Sequence, residues 1–302
     1  MPAKQETPME FIAEVGSNFA GDLEIARDYI RRSAAAGATA VKFQTLTREK
    51  LIAPYIFSEE TWIDNPVYKG FSNVGLPDEW HALLMRDAAA AGIEFFSTPF
   101  HLEAVDVMEA CGVKTYKIAS GDLTFTPLLD RVGATRKRII MSTGGSTLAD
   151  VEKALTTLRN AGASDITLLH CIVSYPPTWE EVNLRAMVTL KDEFGLPVGI
   201  SDHTPGSLLA IAARALGASV IEKHVTTDRA TPGPDHPFAM TFEEFGELTT
   251  SVRNLELALG TGEKVPTPSE ASRQHRYRRG IYDPATFKPA AEGIWLRPRH
   301  TA

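Results

Sequence analysis

The chain has 302 residues and a mass of 33.0 kDa, with 43% hydrophobic and 23% charged residues, a globular composition that excludes a disordered chain. Lys plus Arg is 31 against 38 Asp plus Glu, a formal net charge of −7. That balance excludes a general nucleic-acid binder, which needs a basic surface to displace counterions, but leaves room for a local lysine cluster around an anionic substrate. Two cysteines, Cys111 and Cys171, lie beside or inside apolar segments and make no disulfide framework; both are expected to be buried, reduced thiols. The segment Met1–Glu10 is polar, without a basic region leading into an apolar one. No apolar run approaches the ~20 residues a bilayer span requires, so a soluble, cytoplasmic protein is expected.

From Phe11 onward one rhythm repeats: a short β-branched apolar run, a polar turn, then an amphipathic stretch ending near Gly. The predicted strands are 11–16, 40–45, 94–99, 115–120, 138–143, 165–171, 197–203 and 219–225. Asp22 is placed to cap a helix carrying Leu23, Ala26, Ile30 and Ala34, with Gly37 at its end. The last helix is read from Phe242, Phe245, Leu248, Val252, Leu255 and Leu259, ending at Gly260. Strand–helix alternation means parallel strands, and eight such units fit an α/β fold, the closed (β/α)8 TIM barrel, over residues 1–260. An open doubly wound sheet is the runner-up. It is weakened because the turn after the first strand, Gly16 to Gly21, lacks the G-x-G-x-x-G fingerprint. Residues 46–75 form a long insertion after the second strand, where barrel loops sit over the catalytic face. Residues 261–302, rich in Pro and with an Arg-rich run from Arg273 to Arg279, form a C-terminal extension and not another barrel unit.

Side chains alternate along a barrel strand between interior and helix layer. In Val41-Lys42-Phe43-Gln44 the apolar pair faces the helices, so Lys42 and Gln44 face inward, and the same parity turns Lys117 inward. Glu14 ends its strand, Glu222 shares a face with His224, and Ser201 shares one with His203. Convergence of lysines, carboxylates and histidines near strand C-termini marks the catalytic end of a barrel. Lys42 and Lys117, with the hydroxyls of Thr98, Ser120, Ser142 and Ser201, read as an anion site; one lysine could equally be a Schiff-base nucleophile. His203 and His224 end adjacent strands and suit a divalent metal with open positions, with Glu14 or Asp235 as an added carboxylate ligand. Pro232-Gly233-Pro234 would hold Asp235 rigidly over the mouth, and Tyr175-Pro176-Pro177 does the same after the sixth strand. His170 reads as a satisfied core residue, while His81, His101 and His300 carry no comparable case.

Eight ordered segments then match one family. They are Ala13-Glu14-Val15-Gly16-Ser17-Asn18, Val41-Lys42-Phe43-Gln44, Phe96-Ser97-Thr98-Pro99, Lys117-Ile118-Ala119-Ser120-Gly121-Asp122, Ser142-Thr143-Gly144, Leu169-His170-Cys171 with Tyr175-Pro176, Gly199-Ile200-Ser201-Asp202-His203-Thr204, and Ile221-Glu222-Lys223-His224 with Pro232-Gly233-Pro234-Asp235. The chain resembles the sialic acid synthase family, the N-acetylneuraminate synthases with their legionaminate, pseudaminate and spore-coat relatives. The resemblance implies metal-dependent condensation of phosphoenolpyruvate with an aldehyde, giving a 2-keto acid and phosphate. It implies that Lys42, Lys117, Thr98, Ser120, Ser142 and Ser201 hold phosphoenolpyruvate, and that His203 and His224 bind Mn²⁺ or Mg²⁺. Gln44, Tyr175 and Asp235 would contact the acceptor, and Glu14 and Asp122 would handle water and protons. It further implies small-molecule partners and a homodimer.

Three departures stand out. Asn18 is followed by Phe19 where relatives have His; Asp122 is Glu in many relatives; and the segment after Pro268 is short where relatives carry an antifreeze-like domain. They lead to the expectation of an acceptor other than N-acetylmannosamine. Two alternatives stand beside this reading: a Schiff-base lyase, and an inactive barrel that binds a sugar or a protein.

Overall fold

The computed structural model describes residues 9–70 and 74–297. Most of the polar N-terminal segment, part of the insertion, Pro298 and His300 lie outside those residues. By compactness the chain divides into two units, Met1–Ala258 and Leu259–Ala302.

The first unit is a closed parallel barrel. Its strands are β1 (Glu10–Glu14), β2 (Ala40–Thr45), β3 (Glu94–Pro99), β4 (Thr115–Ile118), β5 (Arg138–Ser142), β6 (Ile166–Cys171), β7 (Val198–Asp202) and β8 (Val220–Thr226). Each pairs in parallel with the next, and β8 returns to β1 with Glu10 opposite Val220 and Glu14 opposite His224. Closure removes every exposed edge and overturns the open-sheet alternative. The connecting helices are α1 (Leu23–Ala35), α2 (His81–Ala90), α3 (Leu102–Cys111), α4 (Thr126–Ala134), α5 (Leu148–Ala161), α6 (Arg185–Phe194), α7 (Leu208–Ala215) and α8 (Phe242–Leu259). Asp22 caps α1 as expected, accepting from the amides of Glu24 and Ile25. The apolar row of α8 is buried from Phe242 to Val252, but Leu259 ends the helix 44% exposed. Among the described residues no helix is long and apolar enough to cross a membrane.

Strand alternation builds the interior in layers. Ile12, Ala40, Phe96, Ile140, Leu169 and Val220 form a small apolar cluster of their own. Two residues further along the same strands stand Glu14, Lys42, Thr98, Ser142, Cys171 and Glu222, all buried. The intervening residues, Val41, Phe43, Tyr116, Ile118, Met141 and Ile221 among them, join the larger core shared with the helices. The apolar layer closes the chamber from below, so the polar layer opens only toward the strand C-termini.

Several strands end earlier than the apolar runs do. β1 stops at Glu14 and the chain turns at Gly16 with φ +55°, and β4 stops at Ile118, followed by a short 3-10 turn over Ser120–Asp122. These last residues leave the ladder to form the rim. The insertion is not a plain loop. It carries a hairpin, Tyr55–Ser58 against Thr61–Asp64, between two short helices, Arg48–Leu51 and Pro66–Gly70.

In the second unit Thr267 and Glu270 form a capping box at the short helix Pro268–Ala271, and Gly280–Tyr282 pairs antiparallel with Ile294–Leu296.

Candidate active site

Two buried ammonium groups organise the chamber. Lys42 Nζ lies 2.6 Å from Glu14 Oε2, donates to Thr98 Oγ1 at 3.2 Å, and stands 3.8 Å from Glu222 Oε2. Lys117 Nζ donates to Ser142 Oγ at 2.6 Å and to the Ile118 carbonyl at 3.3 Å, and stands 3.8 Å from Glu222 Oε1. Gln44 Nε2 donates to Glu14 Oε1 at 2.8 Å, and Ser201 Oγ donates to Glu222 Oε1 at 2.9 Å. Glu14, Lys42, Gln44, Thr98, Lys117, Ser142 and Ser201 are thus drawn into one bonded cluster.

The cluster places carboxylates directly against the two lysines read as the anion site. A buried ammonium requires a counter-charge, and Glu14 and Glu222 supply one each. Burial is the largest influence on all four groups, and they resolve it differently. It lowers Lys117, with Lys42 adding repulsion. It works against the charge of Lys42 too, yet Glu14 and Glu222 more than offset it, and Lys42 is raised. It raises Glu14 despite Lys42, whereas both lysines together hold Glu222 below the ordinary carboxylate range. Glu14 is therefore the carboxylate readier to take a proton, and Glu222 the one that stays charged.

Glu222 is the residue that sequence reasoning left out of the site. Its signal was present: it stands two positions before His224, so the parity that turns one inward turns the other. What could not be read was that its carboxylate would reach both lysines. Ser17 was also missed as a positioning group. Its amide and hydroxyl donate to Asp235 Oδ2 at 2.9 and 2.8 Å. A Cβ at Gly16 would come 2.4 Å from that same oxygen and 3.2 Å from His224 Nδ1, so only glycine leaves room there.

The rim carries Ser120 and Asp122. Ser120 Oγ accepts from the Gly144 amide at 3.0 Å, which ties the β4 and β5 loops together. Asp122 is half-buried, and burial pushes its carboxyl up to about 6 against the opposing charge of Lys117. No hydrogen bond joins Asp122 to the lysine cluster among the described residues.

His203 and His224 stand with ring centroids 5.3 Å apart. Phe238 packs edge-on to both, at 5.9 and 5.0 Å, and the half-exposed Tyr175 ring lies 4.3 Å from His203 and 5.5 Å from Phe238. Tyr175 precedes a cis peptide bond to Pro176. Both Nδ1 atoms are buried without a hydrogen-bond partner. Burial, reinforced by His224 and the lysines, pushes His203 well below the ordinary histidine range, so its imidazole is neutral. An imidazole nitrogen free of other partners is the donor a divalent cation needs. The added carboxylate ligand is not found: among the described residues no three His, Cys, Asp or Glu converge as a cation cage. The reason is that Glu14 is engaged by Lys42 and Gln44, and Asp235 by Ser17. His203 and His224 would hold such a cation as a two-histidine seat. His170 is the satisfied core residue expected, its Nε2 donating to the Val182 carbonyl at 2.7 Å.

Fold and chamber together define an enzyme of the TIM-barrel class, with its ionisable groups gathered at the strand C-termini. The sequence model described as the NeuB family matches residues 29–264, and the chain belongs to that family. It is a phosphoenolpyruvate-using, carbon–carbon bond-forming synthase. The chain is 41% identical to an N,N'-diacetyllegionaminic acid synthase of Campylobacter jejuni over 89% of its own length and 83% of that protein's. It is 40% identical to the synthase of the same name from Legionella pneumophila, over 89% and 78%. The crystal structure of the sialic acid synthetase of Leptospira borgpetersenii, solved with citrate, superposes with a TM-score of 0.79 at 32% identity, covering 88% of this chain and 90% of that one.

Proposed function

We propose that this chain condenses phosphoenolpyruvate with the aldehyde of an acetamido sugar in a metal-dependent reaction, giving a nonulosonic-type 2-keto acid and phosphate. One observation carries the proposal: two lysines, each on a strand-end hydroxyl, share a chamber with two imidazoles whose buried Nδ1 atoms have no hydrogen-bond partner. The acceptor class is supported by relatives named for N,N'-diacetyllegionaminic acid, whose retro-condensation leaves a diacetamido sugar aldehyde.

In this reading Lys42 with Thr98, and Lys117 with Ser142, hold the phosphate and carboxylate of phosphoenolpyruvate, with Ser120 and Ser201 at the periphery. The incoming anion competes with Glu14 for Lys42, and Glu14, the carboxylate raised by burial, is the one suited to yield by taking a proton. Gln44, Tyr175 and Asp235 orient the acceptor so that its carbonyl carbon faces the enol carbon. Mn²⁺ or Mg²⁺ held by His203 and His224 would supply Lewis-acid polarisation of the acceptor carbonyl. Carbon–carbon bond formation opens the acceptor C=O, whose oxygen takes up a proton to become a hydroxyl, and leaves cationic character on the former enol phosphate carbon, where water adds. Asp122, poised near pH 6, accepts the proton of that water. The tetrahedral intermediate then breaks its carbon–oxygen bond to phosphate, leaving the keto group.

The enzyme is further proposed to act as a cytoplasmic homodimer, which light scattering would test for assembly. The decisive experiment is a phosphate-release screen with phosphoenolpyruvate, Mn²⁺ and a panel of sugar aldehydes, product masses being read alongside. Saturable release with a product equal to acceptor plus a pyruvyl unit is expected, abolished by EDTA. Trapping of a lysine adduct by borohydride, with activity indifferent to EDTA, would instead support the Schiff-base lyase. No turnover, and no thermal shift with phosphoenolpyruvate, would support the inactive barrel.

A further inference from the structure

On the outer face of β7 and β8, turned away from the chamber, lies a charged group that the reaction does not use. Lys223 is 2% exposed, and its Nζ donates to Asp202 Oδ2 at 2.8 Å and to the Thr204 carbonyl at 2.9 Å. The second oxygen of Asp202 accepts from the Thr204 amide at 2.8 Å and from its hydroxyl at 2.7 Å. Asp202 and Thr204 are the two neighbours of His203, and Lys223 is the residue before His224. In the β7–β8 register Lys223 stands opposite Asp202, so the next step along both strands brings the two imidazoles side by side on the inner face.

We infer that Lys223 is a positioning residue for the two-histidine seat, an inference that rests on the metal-dependent reading proposed above. β7 ends at Asp202, so His203 has left the ladder and its backbone is not held by strand pairing. The ammonium bridges the residues on either side of it and anchors them to the strand that carries His224. Nothing apolar at position 223 could do the same, because the bracket needs a donor reaching a carboxylate and a carbonyl at once. Both partners are fully enclosed, with side-chain exposures of 2% and 0%, and at that depth such a pair holds a fixed geometry. Interactions that orient ligands from behind in this way set metal affinity as well as stability.

The test uses the whole chain stripped of metal by EDTA and measures Mn²⁺ affinity by calorimetry, the visible spectrum of bound Co²⁺, and phosphoenolpyruvate affinity without metal. Lys223→Met is expected to weaken Mn²⁺ binding by at least about tenfold, to alter the Co²⁺ bands, and to leave phosphoenolpyruvate affinity within about twofold. A role confined to stability would lower the melting temperature and leave Mn²⁺ affinity and the Co²⁺ spectrum as in the wild type, which would overturn the inference. Because Lys223→Met strands a buried carboxylate, the paired variant Asp202→Asn/Lys223→Met, which removes both charges together, is read by the same criteria if the single variant does not fold. The wild type and His203→Ala separate the two levels. A wild type that binds no Mn²⁺ overturns the metal reading itself. Wild-type binding that His203→Ala abolishes and Lys223→Met spares overturns only the role of Lys223.

Discussion

The barrel chamber and the hairpin at Tyr55–Asp64 depart from the ordinary distribution of side chains in opposite directions. In the chamber, charged groups are enclosed: Lys42 and Lys117 are 4% and 3% exposed, and every ammonium has both a carboxylate and a hydroxyl within reach. In the hairpin, apolar groups are bare: Phe57 is 63% and Trp62 70% exposed, their rings 5.5 Å apart, and among the described residues the two strands pair only with each other. The contrast separates two uses of sequence. Burying charge requires each group to be satisfied from several strands at once, so the chamber is specified by the whole barrel. The hairpin is specified by its own cross-strand pairs, and an isolated two-stranded ribbon contributes little to stability.

That contrast can be broken or sharpened by substitution. The largest effects belong to the chamber. Lys42→Met and Lys117→Met should each lower kcat/KM by about 10²–10³-fold, as expected for loss of a preorganised anion donor, in the phosphate-release assay. Activity within a few fold of wild type in either variant would remove the anion seat. Removal of metal with EDTA should abolish turnover, restored by Mn²⁺ in the wild type but not in His224→Ala. A smaller effect follows from the Asp122 carboxyl near 6. As a proton acceptor it must be ionised, so kcat should fall as pH drops through about 6, and Asp122→Asn should lower the plateau and erase that limb. A limb that persists in Asp122→Asn assigns it to another group. For stability, Glu222→Gln removes the carboxylate facing both buried lysines and should cost about 3 kcal/mol in urea unfolding. The smallest effect is expected at the hairpin: Trp62→Ser should change stability by no more than about 0.5 kcal/mol.

Much of this arrangement was legible because a period of two is strict in a barrel. Parity alone turns Lys42 and Lys117 inward, and Asp22 sits where an N-cap is expected. The unread parts depend on distances between strands far apart in sequence. Glu222 shared its face with His224 in plain view, but its reach to Lys42 and Lys117, and thus the balance of charge, follows only from closure of the barrel. The carboxylate ligand expected from Glu14 or Asp235 failed for the same reason: Gln44 and Ser17 compete for those oxygens, and competition between partners leaves no mark in spacing. The hairpin escaped because Glu59 and Glu60, both at positive φ, occupy a turn that sequence preference assigns to Gly or Asn.

The alternation along β8 also limits how this segment can change. Glu222 and His224 serve the chamber while Lys223 between them serves the shell, so three successive residues answer to two environments. Exchanging any of them is a local event. Inserting or deleting a single residue at Val220 or Ile221, ahead of all three, would be another matter, since it would carry the ammonium into the chamber and drive the carboxylate and imidazole out among the helices together. Length should therefore be guarded here more tightly than identity, and drift in this strand should proceed by replacement alone.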